Sequence, residues 1–344
     1  MIHVEPQSYD YLDGIAHALR CARKVVVLTG AGISTAAGIP DYRSRCGLYA
    51  EHDTFCAAAL RDPRRRADSF RSALHLYKLA KDSKPTEAHT FVSQLRKVGK
   101  LLRCYTQNVD QLHGRAGLST GLVENVKCVP LHGTIDSLRC SNCCKTLAWT
   151  ETLQARVAAG QEIPCPGCLD APRRPGAPPR RSSTIGRLRP NIVYLKEEHP
   201  QGEDIAELIN RDVSAGPDTV LIFGTSFEVS GPWDLVKRFA KVAGANGGKV
   251  IYVNRTKASR QGWKDVFDYW VEWECDSWVQ DLMSRGAPLL YVASVWETKI
   301  VPTLSSFLGQ HRPCDSKLKG HNPPDGPTTA AYAGAEGDTI VRRL

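Results

Sequence analysis

Short apolar runs rich in valine, isoleucine and leucine recur along this 344-residue chain, and each stops at glycine or a small polar residue. The run 24–29 gives way to Gly30-Ala31-Gly32-Ile33-Ser34, 101–106 to Gln107-Asn108-Val109-Asp110, 126–131 to His132-Gly133, 219–223 to Gly224-Thr225-Ser226, and 249–253 to Asn254. Runs 122–124 and 192–195 read as further strands, and helical spacing covers 9–22, 53–60, 64–80, 86–98, 202–213 and 233–243. Apolar strands alternating with helices predict an α/β fold, a mostly parallel sheet covered on both faces. Ligands of such sheets sit at the carboxyl ends of the strands, so these polar strand ends predict a site of dinucleotide size.

Twelve cysteines are present, and five of them fall within 140–168. Cys140-x-x-Cys143 and Cys165-x-x-Cys168, 21 residues apart, have the spacing of a four-thiolate zinc site, each short turn supplying two sulfurs. Cys144 directly follows Cys143 and offers an alternative ligand. Four thiolates leave no open coordination position, so the Zn2+ is expected to be structural.

This pattern predicts a Rossmann-like parallel-sheet domain built from 1–133 and 190–310, with a helical insertion at 46–85 and a small zinc-binding module inserted at 134–170. Residues 171–189 read as a basic, proline-rich linker and 311–344 as a disordered tail. Lysine and arginine number 45 against 36 acids, a balance of +9, and 171–189 alone holds six arginines and no acid. A local excess of this kind predicts nucleosome or DNA contact through 173–189, or an import signal. No stretch reaches the roughly 18 to 20 apolar residues that cross a bilayer, so a soluble intracellular protein with no membrane contact is expected. Trp263, Trp270, Trp273 and Trp278 read as packing at a core edge.

The ordered motifs resemble one family. The 30–34 glycine turn, Gly38-Ile39-Pro40-Asp41-Tyr42-Arg43-Ser44, 106–113 (Thr-Gln-Asn-Val-Asp-Gln-Leu-His), Leu131-His132-Gly133, the two cysteine pairs, Gly224-Thr225-Ser226 and Val253-Asn254 occur in the order and spacing of the sirtuins. The resemblance covers roughly 10–285. Glu197-Glu198-His199-Pro200, the 224–231 loop and Gly247-Gly248-Lys249 look most like the fungal branch that deacetylates a lysine in the histone core.

The resemblance implies NAD as a consumed cosubstrate and an acetylated protein, a histone, as substrate, with a nuclear location and a cytoplasmic one as the alternative. Gly30, Ala31, Gly32, Ile33 and Ser34 would line the diphosphate, the missing side chains of the glycines letting backbone N–H groups approach, and Asp41, Tyr42 and Arg43 would lie on a cofactor loop. Gln107, Asn108, Val109 and Asp110 would hold the nicotinamide and its ribose, with Asn108 and Asp110 taking part in catalysis; Gly224, Thr225, Ser226, Asn254 and Cys275 would surround the adenosine. Val193, Tyr194, Leu195, Glu228 and Val229 would border a channel where the substrate backbone adds as a strand. Here Leu195-Lys196-Glu197 stands where the family commonly has Phe-Gly-Glu.

His132 is the candidate general base, since imidazole titrates near neutrality and can take a proton from a ribose hydroxyl. His113 is assigned a structural role. The alternatives are a mono-ADP-ribosyltransferase or long-chain deacylase on the same fold, and a non-catalytic NAD or ADP-ribose sensor. Joint retention of His132, Asn108 and Asp110 argues against the sensor, which needs no base.

Overall fold

The computed structural model describes residues 1–41, 54–170 and 185–286. Along the chain run β1 (Ile2–Val4), α1 (Tyr9–Cys21), β2 (Val25–Thr29), α2 (Pro63–Asp82), α3 (Glu87–Lys97), β3 (Leu101–Thr106), α4 (Leu112–Arg115) and β4 (Cys128–Pro130). Next come β5 (Gly133–Cys140), β6 (Thr146–Ala148), α5 (Glu151–Ala158), α6 (Pro166–Leu169) and β7 (Leu188–Ile192). The described chain finishes with α7 (Gly202–Ser214), β8 (Thr219–Phe223), α8 (Ser230–Ala245), β9 (Lys249–Val253), β10 (Tyr269–Val271) and α9 (Cys275–Ser284).

Seven strands make a parallel, Rossmann-like sheet in the order β1-β10-β9-β8-β2-β3-β4. Alternate residues of its central strands feed opposite cores, as the two-residue period of a strand requires. Val25, Val27, Leu221, Phe223, Ile251 and Val253 pack with Leu12, Phe91 and Trp278, from α1, α3 and α9. Val26, Leu28, Val220, Ile222, Val250 and Tyr252 pack with Ile205 and Phe239, from α7 and α8. Burial on both faces explains why these strands read as unbroken apolar runs.

β5, β6 and β7 form a separate antiparallel sheet in the order β6-β5-β7. Its core joins Leu138, Trp149, Val157 and Leu188 to Leu74 of α2, whose other side chains Ala73 and Leu76 face Ile39, Val109 and Ile192. Asp62 caps α2 by accepting from the Arg65 N–H at 2.8 Å, and Pro63 opens it where no hydrogen bond is needed.

Several elements depart from the sequence reading. Residues 122–124 form turns, because Arg103, a charged residue on buried β3, reaches out to the Glu124 and Val126 carbonyls and holds that loop. Arg103 also pairs through Nε with Asp212 of α7 at 2.6 Å, and Asp212 accepts from Tyr105 Oη at 2.7 Å. The strand expected at 192–195 lies at Leu188–Ile192 and pairs antiparallel with β5 rather than joining the parallel sheet. It therefore claims Leu188 and Arg189 from the expected linker. Of the helix expected at 53–60, the described part is a single 3-10 turn, Ala57–Leu60. β1 and β10 were not anticipated, being strands of only three residues, β1 at the sheet edge and β10 next to it. The expected linker residues 171–184 and the expected tail at 311–344 lie outside the described residues.

Candidate active site

The central strand β2 is flanked by β3, which follows it in the chain, and by β8, which is reached only after the antiparallel sheet. Winding reverses at this point, leaving a crevice beyond the carboxyl ends of the strands. Gly30 and Gly224 meet there. A Cβ on Gly224 would lie 2.4 Å from the Ile33 nitrogen, and one on Gly30 would lie 2.7 Å from the Gly224 oxygen. Gly224 also has φ +60°, a conformation that glycine adopts without penalty.

The glycines work differently from the sequence expectation. Gly30 N–H donates to Phe223 O at 2.9 Å and Gly32 N–H to Gly224 O at 2.8 Å. Those two groups tie β2 to β8 and are not turned toward a diphosphate; the glycines serve close approach. Ile33 is buried in the core, and its carbonyl accepts from Thr86 Oγ1 at 3.1 Å.

Beside the glycines stands a buried chain of polar groups. Ser34 Oγ donates to Asp110 Oδ2 at 2.7 Å and accepts from Asn108 Nδ2 at 3.0 Å. The second Asp110 oxygen accepts from the Leu112 N–H at 2.9 Å, which fixes the carboxylate. Since the one hydroxyl proton of Ser34 goes to Asp110, Asn108 must present its NH2 to Ser34, and Oδ1 faces the other way. That oxygen is buried and has no partner among the described residues. A buried acceptor left open fits a ligand carrying an amide or hydroxyl donor, and both occur in NAD. Gln107 Nε2 reaches across the mouth of β2 to Thr225 Oγ1 at 2.9 Å, joining the ends of β3 and β8.

His132 follows β4 and precedes β5, at the boundary between the two sheets. Its Nδ1 lies 3.0 Å from the Gln107 carbonyl oxygen. A carbonyl only accepts, so in the neutral ring Nδ1 carries the proton and Nε2 is the basic nitrogen. His113 is buried instead against Thr29 Oγ1 at 2.9 Å, below the polar chain.

Other residues expected at the cofactor are engaged with the protein itself. Val109 is buried in an apolar cluster, with its carbonyl taken by the Ile135 N–H at 3.0 Å. The Cys275 thiol is packed in the core, where burial pushes it up to about 12, so only the main chain of Cys275 is left to meet a ligand. Asn254 stands at the end of β9 with its amide turned onto Thr256 O at 2.8 Å, and the Ser226 carbonyl accepts from Ser259. Asp41 is half-buried at the edge of the described chain; Tyr42 and Arg43 lie outside it.

The segment expected to pair with a substrate strand is largely engaged. Leu195 gives its N–H to Phe55 O at 2.8 Å and its carbonyl to Ala57 N–H at 3.0 Å, so this residue cannot also pair with an added strand. The Tyr194 ring is buried with Oη 3.0 Å from Ser69 Oγ, and Val193 N–H donates to His132 O at 2.9 Å. Lys196 adopts φ +67°, a left-handed conformation suited to the glycine that the sirtuins commonly carry there. Opposite, Arg260 holds the Phe227 and Glu228 carbonyls at 2.6 and 2.5 Å, fixing the loop that leads through Val229 into α8.

Four sulfurs converge in the antiparallel sheet: Cys140, Cys143, Cys165 and Cys168 all lie within 4.8 Å of one another. The Cys140–Cys168 and Cys143–Cys165 Sγ separations are both 3.7 Å. Tetrahedral zinc with Zn–S of about 2.3 Å requires sulfurs about 3.8 Å apart, so the set fits Zn2+. Cys144 is exposed, has φ +58° and is outside the set, which selects Cys143 as the ligand from that turn.

Residues 30–231 match the model of the Sir2 family. The chain belongs to that family. It is 39% identical over 291 residues to the NAD-dependent histone deacetylase HST3 of Candida albicans, covering 77% of this chain and 60% of that protein. It is 34% identical over 304 residues to the protein of the same name from Saccharomyces cerevisiae, covering 80% and 68%. A solved Sir2 homologue in complex with NAD shares the fold, with a TM-score of 0.60 at 23% identity, covering 84% of this chain and 98% of that one. Among the described residues of this Sir2 chain, no helix is long and apolar enough to cross a membrane.

Proposed function

We propose that this chain is an NAD-dependent protein-lysine deacetylase acting on an acetylated histone in the nucleus. The observation that carries the reading is the pair formed by His132, with Nδ1 held on the Gln107 carbonyl, and Asn108, with its open buried oxygen, at one strand-end crevice. NAD, when bound, supplies a ribosyl carbon that parts from nicotinamide and a hydroxyl that accepts the acyl group. Around it, Asn108 Oδ1 orients a donor of the nicotinamide ribosyl end, with Ser34 and Asp110 fixing its direction. His132 Nε2 takes the proton of the attacking hydroxyl while the Gln107 carbonyl steadies the ring. Gly30, Gly32 and Gly224 keep the floor of the crevice free of side chains. Zn2+ in the four-cysteine set holds the antiparallel sheet and takes no part in the chemistry.

The histone assignment is supported by the fungal relatives, which are named as NAD-dependent histone deacetylases. Chromatin contact through the basic segment rests on Arg173, Arg174, Arg180 and Arg181, outside the described residues. Within the described part of the segment, Arg187 pairs with Glu162 at 2.8 Å on the surface and Arg189 with Glu197 at 2.6 Å.

The test is nicotinamide release from NAD with acetylated and unmodified histone peptides and nucleosomes, with product masses. Acetyl-dependent release giving acetyl-ADP-ribose is expected. Absence of release with every acylated substrate would overturn the enzyme reading, and ADP-ribosylated protein as product would move it to the transferase alternative.

A further inference from the structure

Arg139 on β5 faces Arg189 on β7 directly across the antiparallel ladder, and Thr146 on β6 across the other. Like charges opposed in this way destabilise a sheet unless an anion lies between them. The one carboxylate at hand, Glu197, gives both its oxygens to Arg189, at 2.6 and 2.7 Å, and accepts the Tyr194 N–H as well. Glu197 also acts on Arg139, but among the described residues no carboxylate forms an ion pair with it. Neighbouring strand residues point to opposite faces, so Arg139 is also turned away from Cys140 and the thiolate cluster.

Three nitrogens in this cluster are buried without a partner among the described residues: Arg139 Nε, Arg189 Nε and His199 Nε2. All three are donors. The guanidinium nitrogens cannot be otherwise, and His199 Nδ1 accepts the Gln201 N–H at 3.0 Å, which puts the ring proton on Nε2. Burial, helped by the charges of His132 and Arg139 and opposed by Glu197, pushes His199 down to about 4, so its ring is neutral near pH 7. With His199 neutral, two guanidinium charges face one carboxylate, leaving an excess of one positive charge and three N–H groups without an acceptor. The cluster borders the active site, because the chain leaving β7 bonds through the Val193 N–H to the His132 carbonyl at 2.9 Å.

We propose that Arg139, Arg189 and His199 form an anion subsite that receives an acidic side chain of the acylated protein segment, a few residues from the acyl-lysine. A carboxylate matches the site in charge and supplies the missing acceptors, and Arg139 can meet it with two parallel N–H groups. The proposal takes its substrate from the deacetylase reading, and it adds to that reading a preference for acidic flanking sequence.

The experiment uses the full chain and acetyl-lysine peptides in which glutamate is moved through each flanking position, each compared with its glutamine counterpart. At one position the glutamate peptide should show a kcat/KM about 10-fold above its counterpart, carried by KM, as a charge-assisted hydrogen bond at a half-buried site implies. Arg139→Gln should bring that ratio to about 1, Arg139→Lys should restore part of it, and Arg139→Glu should reverse it toward lysine-flanked peptides. Binding of the same peptides is measured by calorimetry without NAD, so the subsite is tested even if no turnover is found. A ratio near 1 at every position in the parent, or a ratio unchanged in Arg139→Gln, overturns the proposal. So does sulfate binding that depends on Arg139 without any preference among peptides, which would make the site one for free anions.

Discussion

Ser34 holds Asn108 through an oxygen whose proton has already been given to Asp110. The direction of the Asn108 amide is thus decided two residues away, by a carboxylate that need not touch the ligand. Ser34→Ala would let the amide turn and would leave a buried Asp110 oxygen without its donor. The expected result is a KM for NAD raised about 10-fold and a stability loss of about 1–3 kcal/mol. Steady-state kinetics together with urea unfolding check this, and an unchanged KM would show that Asn108 is oriented by something else.

His132→Ala removes the group we assign as base but leaves the strand-end glycines intact. Turnover should fall by about two to four orders of magnitude, while NAD affinity measured by calorimetry stays within a few-fold. Turnover near that of the parent would take His132 out of the chemistry.

The two adjacent cysteines separate the metal hypotheses cleanly. Cys143→Ser should lose bound zinc and destabilise the antiparallel sheet, whereas Cys144→Ser should keep one zinc per chain and an unchanged melting curve. Metal analysis after extensive dialysis reads both, and equal zinc loss in the two variants would contradict the geometry.

Lys196 sits at φ +67°, where a Cβ strains the backbone. Lys196→Gly should therefore stabilise the chain by about 0.5–1 kcal/mol, the left-handed penalty less the entropy glycine loses on folding. A lowered urea midpoint would mean that the lysine side chain makes contacts that outweigh the strain.

Acid should weaken the fold partly through His199. Its folded value of about 4 lies below the ordinary histidine range, so between roughly pH 6.5 and 4 the unfolded chain binds a proton that the folded chain refuses. Stability from this group is present at neutral pH and is lost as pH falls through that window. His89 adds to the effect, pushed well down by burial and by the charges of His113 and Arg115. His113 opposes it, because Cys104 and Asp110 raise it despite burial. The telling quantity is therefore a difference: the melting temperature of His199→Gln should depend less steeply on pH between 7 and 4.5 than that of the parent. Parallel curves would show that His199 is not neutral in the fold.

The parallel sheet was legible because β2, β8 and β9 are buried on both faces and carry unbroken apolar runs. β5 was not, since Asp136, Ser137 and Arg139 interrupt it and its pairing depends on a strand about fifty residues later. The residue types of the site were visible at the strand ends, and the zinc pairs in their spacing. Directions were not visible: the use of the Gly30 and Gly32 N–H groups against β8, the burial of Val109 and the Cys275 thiol, and the facing of Arg139 by Arg189 across the ladder all arise from residues distant in the chain.

The chain enters the antiparallel sheet at Gly133 and leaves it at Ile192, and these two residues are paired neighbours. A segment whose two ends meet can be lengthened, shortened or exchanged without forcing apart the strands that flank it. Gly133 itself enforces the closeness, for a Cβ there would lie 2.4 Å from the Asn191 oxygen. The metal-bearing sheet thus joins the parallel sheet along the chain at one place, with His132 on its threshold, while Leu74 of α2 packs into its core. Divergence within that segment can reshape what approaches the histidine while the strand ends of the parallel sheet are left alone.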